Sequence, residues 1–259
     1  MRTISALSVA PVKGMALLHP DEIDLGSRRV PGNREFFLMD ERGRKFDQIE
    51  HGPLGLIQPA YDATREHLTL RFPDGTSVAG EVRLLDEVAA SFSHGTRTVR
   101  GRRVDGAFAD AISRYAGARL ELVKPDDPAE LLRRRGPVTI LSDASVEELA
   151  RRAGRERVDP RRFRMLISVA GCAPHEEDHW TGRSVRVGEV VVRVHEEVDR
   201  CAVTSQDPET GRPDLDTLRT IGTYRGIRRR RGKNRIDFGV FGEVEQPGRV
   251  RLGDPVEPA

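Results

Sequence analysis

The stretch HLTLRFPDGTSV, residues 67–78, decides the fold class. Leu68, Leu70 and Phe72 alternate with His67, Thr69 and Arg71, the period-two pattern of a strand with one buried face. Pro73-Asp74-Gly75 then supplies turn chemistry, and Thr76-Ser77-Val78 starts the return strand. The same pattern recurs upstream. Ile4–Val9 alternates and is ended by Pro11. Phe36–Met39 runs into Asp40-Glu41-Arg42-Gly43, a hairpin signal with glycine late in the turn, and Lys45–Asp47 is the expected return. Leu54–Ile57 reads as a further short apolar strand. Close-set short strands with Gly, Pro and Asp turns predict a barrel or sandwich.

Beyond residue 100 the pattern becomes mixed. Asp105–Ala116 has helical spacing, with Phe108, Ala111, Ile112 and Tyr115 apolar. Asp126–Gly136 reads as a loop rich in proline and charge. Val138–Leu141 is a strand, and Ser142 or Asp143 offers a cap oxygen to a helix over Val146–Ala153 that Gly154 ends. The alternative for Ser142 and Asp143 is a cofactor contact. Arg162–Val169 reads as one strand, Val185–Gly188 with Val190–Val194 as a hairpin, and Asp214–Tyr224 as a short helix. Ile236–Val244 and Val250–Leu252 are expected to finish the sheet. The fold class is therefore mainly β with a few helices (α+β). The expected organisation is two β-barrel-like domains, 1–100 and 101–259.

Bulk properties exclude several classes. The 259 residues carry 43 Lys and Arg against 41 Asp and Glu, a net charge of +2. No global field calls for nucleic acid or a membrane surface. The N-terminal stretch lacks the apolar core of a secretory signal, and no run approaches a membrane span. Two cysteines do not make a disulfide framework. The expectation is a soluble, cytoplasmic protein with no nucleic-acid or membrane partner.

Chemistry concentrates around DRCAVTSQDPETG, residues 199–211. Cys201 stands at a strand end beside Arg200, a charge that favours thiolate, and just before a turn. Four readings stay open for it: core filler, half of a disulfide with Cys172, a nucleophile with His195 or His175 as base, or a metal ligand. Cys172, His175, His179 and Cys201 also count four zinc-type ligands, although the paired C-x2-4-C spacing is absent. The run Arg228–Arg231, with Lys233 and Arg235, reads as a solvated loop or an anion contact. It lacks the interleaved aromatics of a nucleic-acid platform. No glycine-rich nucleotide motif is present, so a bound phosphate would rest on separate cations such as Lys13, Arg34 and Arg164.

Seven segments in order resemble one family. They are VAPVKGM (9–15), NREFFLMDERG (33–43), LSDAS (141–145), RRFRMLISVAG (161–171), EEDHW (176–180), DRCAVTSQDPETG (199–211) and LGDPV (252–256). The chain resembles MOSC proteins, named for the C-terminal domain of molybdenum cofactor sulfurase. It is most similar to the two-part, amidoxime-reducing type with an N-terminal MOSC-associated β-barrel.

The resemblance implies a molybdenum-pterin cofactor (molybdopterin) with Cys201 as metal ligand and catalytic residue. It maps the cofactor contacts onto Lys13, Arg34, Arg164, Arg200, Thr204 and Asp207. Soft thiolate suits such a centre, and arginine suits a pterin phosphate. The implied activity is reduction of a small N-hydroxylated substrate, with electrons from an external donor protein of the ferredoxin or flavin reductase type. A non-enzymatic cofactor or sulfur carrier is the alternative. The family also carries a pyridoxal phosphate binding label. Trp180 and Asp178 are expected to shape the wall beneath the site. The chain departs from the family pattern in four places. Met165 and Leu166 replace Pro and Asn, Gly14 stands where Ser is frequent, and Phe36 replaces Trp. Each lost hydrogen bond would cost cofactor binding about 1 kcal/mol.

Overall fold

The computed structural model describes residues 1–258 apart from 93–94, 133–135 and 231. In chain order the strands are β1 (Thr3–Leu7), β2 (Glu22–Leu25), β3 (Phe37–Asp40), β4 (Lys45–Phe46), β5 (Gln58–Asp62), β6 (His67–Arg71), β7 (Ser77–Glu81), β8 (Leu84–Phe92), β9 (Arg97–Val104), β10 (Leu120–Pro125), β11 (Val138–Ser142), β12 (Ile167–Ala170), β13 (Ser184–Val187), β14 (Val190–Asp199), β15 (Arg228–Arg230), β16 (Lys233–Arg235), β17 (Asp237–Gln246), β18 (Gly248–Arg251) and β19 (Val256–Pro258). The helices are α1 (Ala107–Ala116), α2 (Asp143–Arg152) and α3 (Thr217–Arg225). The mainly β class expected from the alternation is the class observed.

A seven-stranded sheet, ordered β1-β12-β11-β17-β14-β13-β19, forms the second barrel. Its two ends meet: Thr3 bridges Pro255, Ile4 N–H donates to Asp254 O at 2.9 Å, and Val256 N–H donates to Arg2 O at 3.0 Å. The interior is valine-rich, with Val185, Val187, Val190, Val192 and Val194 all fully buried. Branched side chains pack well on a pleated surface, and closure removes exposed sheet edges. The sheet β4-β3-β10-β9-β8 and the meander β5-β6-β7 make the N-terminal part. There Phe36, Leu38, Leu54, Leu68 and Leu70 form a core that α1 covers with Phe108 and Ile112. Strand β10 lies within this sheet, and β1 lies within the second barrel.

Helix α2 starts as capping chemistry requires. Ser142 Oγ accepts from Ser145 N–H at 3.2 Å. Neither Ser142 nor Asp143 lines the main cavity, so the capping role is the one observed. Four sequence expectations are corrected. Leu54–Ile57 is not a strand: Gly52–Leu56 is a 3-10 helix with proline in its first turn. Arg162–Val169 is not one strand. Pro160–Phe163 is a 3-10 helix whose cap, Asp159, accepts from Arg161 N–H at 2.8 Å, and β12 begins only at Ile167. Strand β18 does not finish the main sheet but pairs with β2, and β19 is its last strand. Arg228–Arg235 is a two-stranded ribbon, β15 with β16, rather than a loop. Arg231 of that run and residues 133–135 of the Asp126–Gly136 loop lie outside the described residues.

Candidate functional site

A cavity of about 950 Å³ lies where the N-terminal part meets the second barrel. Cys201, Lys13, Arg34, Arg164, Arg200 and Thr204 all line it, although they are distributed over nearly 200 residues of chain. Two backbone segments run side by side to form one wall. Arg34 N–H donates to Ala10 O at 2.7 Å, Phe36 N–H to Pro11 O at 3.0 Å and Lys13 N–H to Phe36 O at 2.8 Å. Buried Asn33 clamps the pair by accepting from Ala10 N–H at 3.0 Å. Lys13 and Arg34 are thereby brought to the same wall.

Arg164 arrives from the other half as the residue that ends the 160–163 helix. Its guanidinium crosses back to donate to Met15 O at 2.7 Å. Arg34 and Arg164 have φ of 60° and 53°, a left-handed conformation that few residues without glycine's freedom adopt. Such backbone persists where the surroundings over-determine it, and it concentrates at functional sites. Gly14 also has positive φ, +88°, and a Cβ there would sit 2.8 Å from Asp47 Cβ. A serine there would therefore collide with Asp47, whose carboxylate acts on Lys13.

The electrostatics of this wall are unusual. Among the described residues neither Lys13 nor Arg164 forms an ion pair, while Asp47 is engaged by Lys45 at 2.6 Å. Burial, then the neighbouring Arg34, pushes the Lys13 ammonium down to about 7. Burial and Arg34 lower Arg164 to about 10. Burial alone would raise the Asp47 carboxyl, but Lys13 and Lys45 hold it below its ordinary range. A group of desolvated cations is costly unless an anion completes it. The wall therefore fits a phosphate.

Cys201 stands exposed at the end of β14 and caps a 3-10 turn, Ala202–Ser205. Its carbonyl accepts from Thr204 N–H at 3.1 Å and from Thr204 Oγ1 at 3.0 Å. Thr204 Oγ1 also meets Thr217 Oγ1 at 2.6 Å. The threonine hydroxyl expected to face the site is thus spent on holding the cysteine turn to the start of α3. Arg200 lines the cavity, but its guanidinium donates to Phe238 O, to Phe163 O at 2.9 Å and to Met165 Sδ at 2.8 Å. It fixes the strand end from behind. Asp207 does not line the main cavity. Its carboxylate accepts from Glu209 N–H at 2.7 Å and Thr210 N–H at 2.9 Å, closing the turn that follows. That turn presses against the N-terminal part, where a Cβ on Gly211 would lie 2.6 Å from Pro53 N.

Met165 and Leu166 are both buried, at 5% and 3% exposure. Met165 packs among Phe163, Phe238 and Leu141 and gives its sulfur to Arg200, so its replacement of proline acts on the core. Leu166 lines the cavity and donates its N–H to Thr139 Oγ1 at 2.9 Å.

Arg162, not singled out in the sequence, is the main brace of the cysteine loop. Nearly fully buried, it donates to Thr204 O at 3.1 Å, Gln206 O at 3.3 Å and Asp214 Oδ1 at 3.0 Å. Asp47 and Asn33 were also missed. No local pattern marks them, because their roles follow from the crossing of distant segments.

The competing readings of the cysteines do not assemble. Both cysteines are free, and Cys172 is pushed up to about 12 by burial and then by Glu176 and Glu177. Among the described residues no group of three His, Cys, Asp or Glu side chains is placed to hold a metal, which removes the zinc reading. Neither His175 nor His195 lines the cavity. His195 faces Glu243 at 3.2 Å, and His175 packs beside Tyr224 and Phe238. Trp180 is buried in the barrel core and Asp178 pairs with Arg225 at 2.6 Å, both away from the cavity lining. No helix among the described residues is long and apolar enough to cross a membrane.

Comparison with known proteins adds the following. The family model described as MOSC domain matches residues 98–257, and that described as MOSC N-terminal beta barrel domain matches residues 1–121. Mitochondrial amidoxime-reducing component 1 of Mus musculus is 38% identical over 125 residues, covering 46% of this chain and 36% of that protein. Mitochondrial amidoxime reducing component 2 of Homo sapiens is 36% identical over 124 residues, with the same shares. The matched stretch therefore spans about a third of the length of these relatives. The crystal structure of the YUAD protein from Bacillus subtilis superposes with a TM-score of 0.48 at 17% identity, covering 100% of this chain and 96% of that one.

Proposed function

The chain belongs to the MOSC family, with both the N-terminal beta barrel and the MOSC domain, and from that premise we propose that it holds a molybdenum-pterin cofactor in the 950 Å³ cavity and reduces N-hydroxylated compounds. One observation carries the reading. An exposed thiol and a cluster of half-buried cations, with no ion pair to Lys13 or Arg164 among the described residues, line one cavity. The cations fit the pterin phosphate, and the soft thiolate fits the metal. When bound, the cofactor supplies the two-electron redox chemistry.

The chain's own residues have separable tasks in this reading. Lys13, Arg34 and Arg164 anchor the phosphate. Cys201 is the metal ligand. Arg162, Thr204 and Arg200 hold the cysteine turn in place, and Asp207 shapes the loop behind it. A two-domain organisation and a cytoplasmic setting, in keeping with two free thiols, belong to the same reading. The relatives named for amidoxime reduction support the substrate class.

The test is metal content followed by turnover. Protein made in a host that synthesises molybdenum cofactor should contain stoichiometric molybdenum and pterin, and Cys201→Ala should lose the metal. A metal-free wild type, or full metal in the variant, would sink the ligand assignment. Loaded protein supplied with reduced methyl viologen should then consume benzamidoxime. Stoichiometric molybdenum without turnover of benzamidoxime or a hydroxylaminopurine would favour the carrier instead.

A further inference from the structure

Gln48 is a buried polar side chain that the fold does not use. It is 9% exposed, and its carboxamide makes no hydrogen bond among the described residues. A buried polar group left unpaired costs stability, so packing alone does not account for it. Its backbone is tightly fixed. Asp47 Oδ1 accepts from Ile49 N–H at 3.1 Å, and Asp47 O accepts from Glu50 N–H at 3.0 Å. Gln48 O accepts from Gln206 Nε2 at 2.7 Å, which ties this turn to the cysteine loop. A Cβ on Gly55 would lie 2.0 Å from Gln48 Nε2, so a glycine leaves open the space in which the amide sits.

The amide stands where two cavities adjoin. A second cavity, of about 490 Å³, shares Leu17, Gln48, Arg162, Arg164 and Val203 with the first. The two arginines are engaged, Arg162 with Asp214 and Arg164 with Met15 O. Leu17 and Val203 are half-buried, and Ile49 lines the first cavity at 54% exposure. One neutral amide is thus set beside apolar side chains in the cavity that Cys201 lines. A carboxamide presents an acceptor and an NH2 donor in one plane. Its complement is a ligand in which an N–H donor and an acceptor flank one carbon. Amidoximes and N-hydroxyguanidines carry that edge, C(=N–OH)NH2, at the bond to be reduced, and simple hydroxylamines lack it.

We propose that Gln48 selects amidine-type substrates, pairing with the C(=N–OH)NH2 group while Leu17, Ile49 and Val203 receive the apolar body. This rests on the reductase reading. The reduction turns C(=N–OH)NH2 into C(=NH)NH2: the N–O bond breaks and the oxygen leaves as water, which takes two electrons and two protons. A pterin ring also carries a donor–acceptor edge. The exposure of Ile49 beside the amide favours a molecule that comes and goes over a ring held permanently.

The test compares benzamidoxime with phenylhydroxylamine, which has the same ring without the C(=N–OH)NH2 edge, in loaded protein driven by reduced methyl viologen. Gln48→Leu should lower the ratio of kcat/KM for benzamidoxime to that for phenylhydroxylamine about tenfold or more, mostly through the benzamidoxime KM. Gln48→Glu, which keeps acceptor oxygens and loses the NH2 donor, should fall between. Without reductant there is no turnover, and calorimetry on the loaded Gln48→Leu variant should show the benzamidoxime Kd raised about tenfold or more. Because the amide has no protein bond to lose, Gln48→Leu should hold or raise the urea midpoint of the unloaded protein. A lowered midpoint, an equal loss with both substrates or an unchanged Kd would overturn the assignment. So would a folded Gln48→Leu variant that loses pterin, which would give the amide to the cofactor. A loaded protein that reduces neither compound yet binds benzamidoxime through Gln48 would keep the contact and refute the reductase.

Discussion

Two arginine-rich regions of this molecule are opposites in construction. The cavity wall collects Lys13, Arg34 and Arg164 from three separate places, half-buries them and leaves Lys13 and Arg164 without ion pairs among the described residues. The ribbon draws six cations from eight consecutive residues, with Arg228 and Arg229 exposed, and balances its root with three carboxylates. Charge density along the sequence points to the ribbon, whereas charge density in a desolvated space points to the cavity. Only the second imposes a large penalty on the unliganded fold, so it is the one expected to be completed by a tightly held anion.

The comparison can be broken from either side. The largest effect is expected behind the cavity. Arg162→Ala removes a buried guanidinium from two carbonyls and Asp214, and should lower stability by about 2–3 kcal/mol, measured by urea unfolding of the unloaded protein. A loss below about 0.5 kcal/mol would mean that the cysteine loop is held by other contacts. Next, Arg164→Ala deletes one charge-assisted anchor worth about 1.5–3 kcal/mol. Pterin content per chain should fall about tenfold or more, with Arg229→Ala unchanged in the same assay. Equal losses in the two variants would erase the distinction between wall and ribbon.

A pH effect comes third. Lys13 is held near 7 in the unliganded fold, while the unfolded chain keeps its proton up to the ordinary value of 10.5. Between these values the unfolded state binds more protons, so this residue makes the empty protein more stable as pH rises from 7 toward 10.5. The urea midpoint difference between wild type and Lys13→Met should accordingly shrink across that range. Inorganic phosphate should protect the wild type better at pH 6.5 than at pH 9, since the protonated ammonium is the form that attracts an anion. A pH-independent difference would contradict the desolvated setting of Lys13. The smallest effect belongs to the ribbon: Arg228→Ala should cost less than about 1 kcal/mol, as exposed ion pairs do.

Much of the fold was legible because it obeys local rules. Alternation and turn residues marked β6 and β7, apolar spacing marked α1 and α3, and a cap oxygen marked α2. Two 3-10 helices were read wholly or partly as strand because Leu54–Ile57 and Arg162–Val169 are apolar enough for either, and proline in the first turn decided the outcome. At the site, the order of motifs singled out Cys201, Lys13, Arg34 and Arg164. Residue type alone carried no sign that Arg34 and Arg164 take left-handed backbone, that Thr204 and Arg200 turn inward as braces, or that Asp47 sits against Gly14. Those facts arise from segments crossing far apart in sequence.

The meeting of β1 with β12 and β19 sets an order of events during synthesis. Thr3 pairs with Ala170 and bridges Pro255, so the second barrel cannot close until residue 255 has emerged. Contacts of such long sequence separation form slowly, and β1 must wait with unpaired edges while later strands are made. Lys13 follows β1 by a few residues and Cys201 lies beyond it on the same closing structure. In the proposed reading, the cavity is complete for a cofactor only after residues 3 and 255 have met, so loading follows synthesis of the stretch between them.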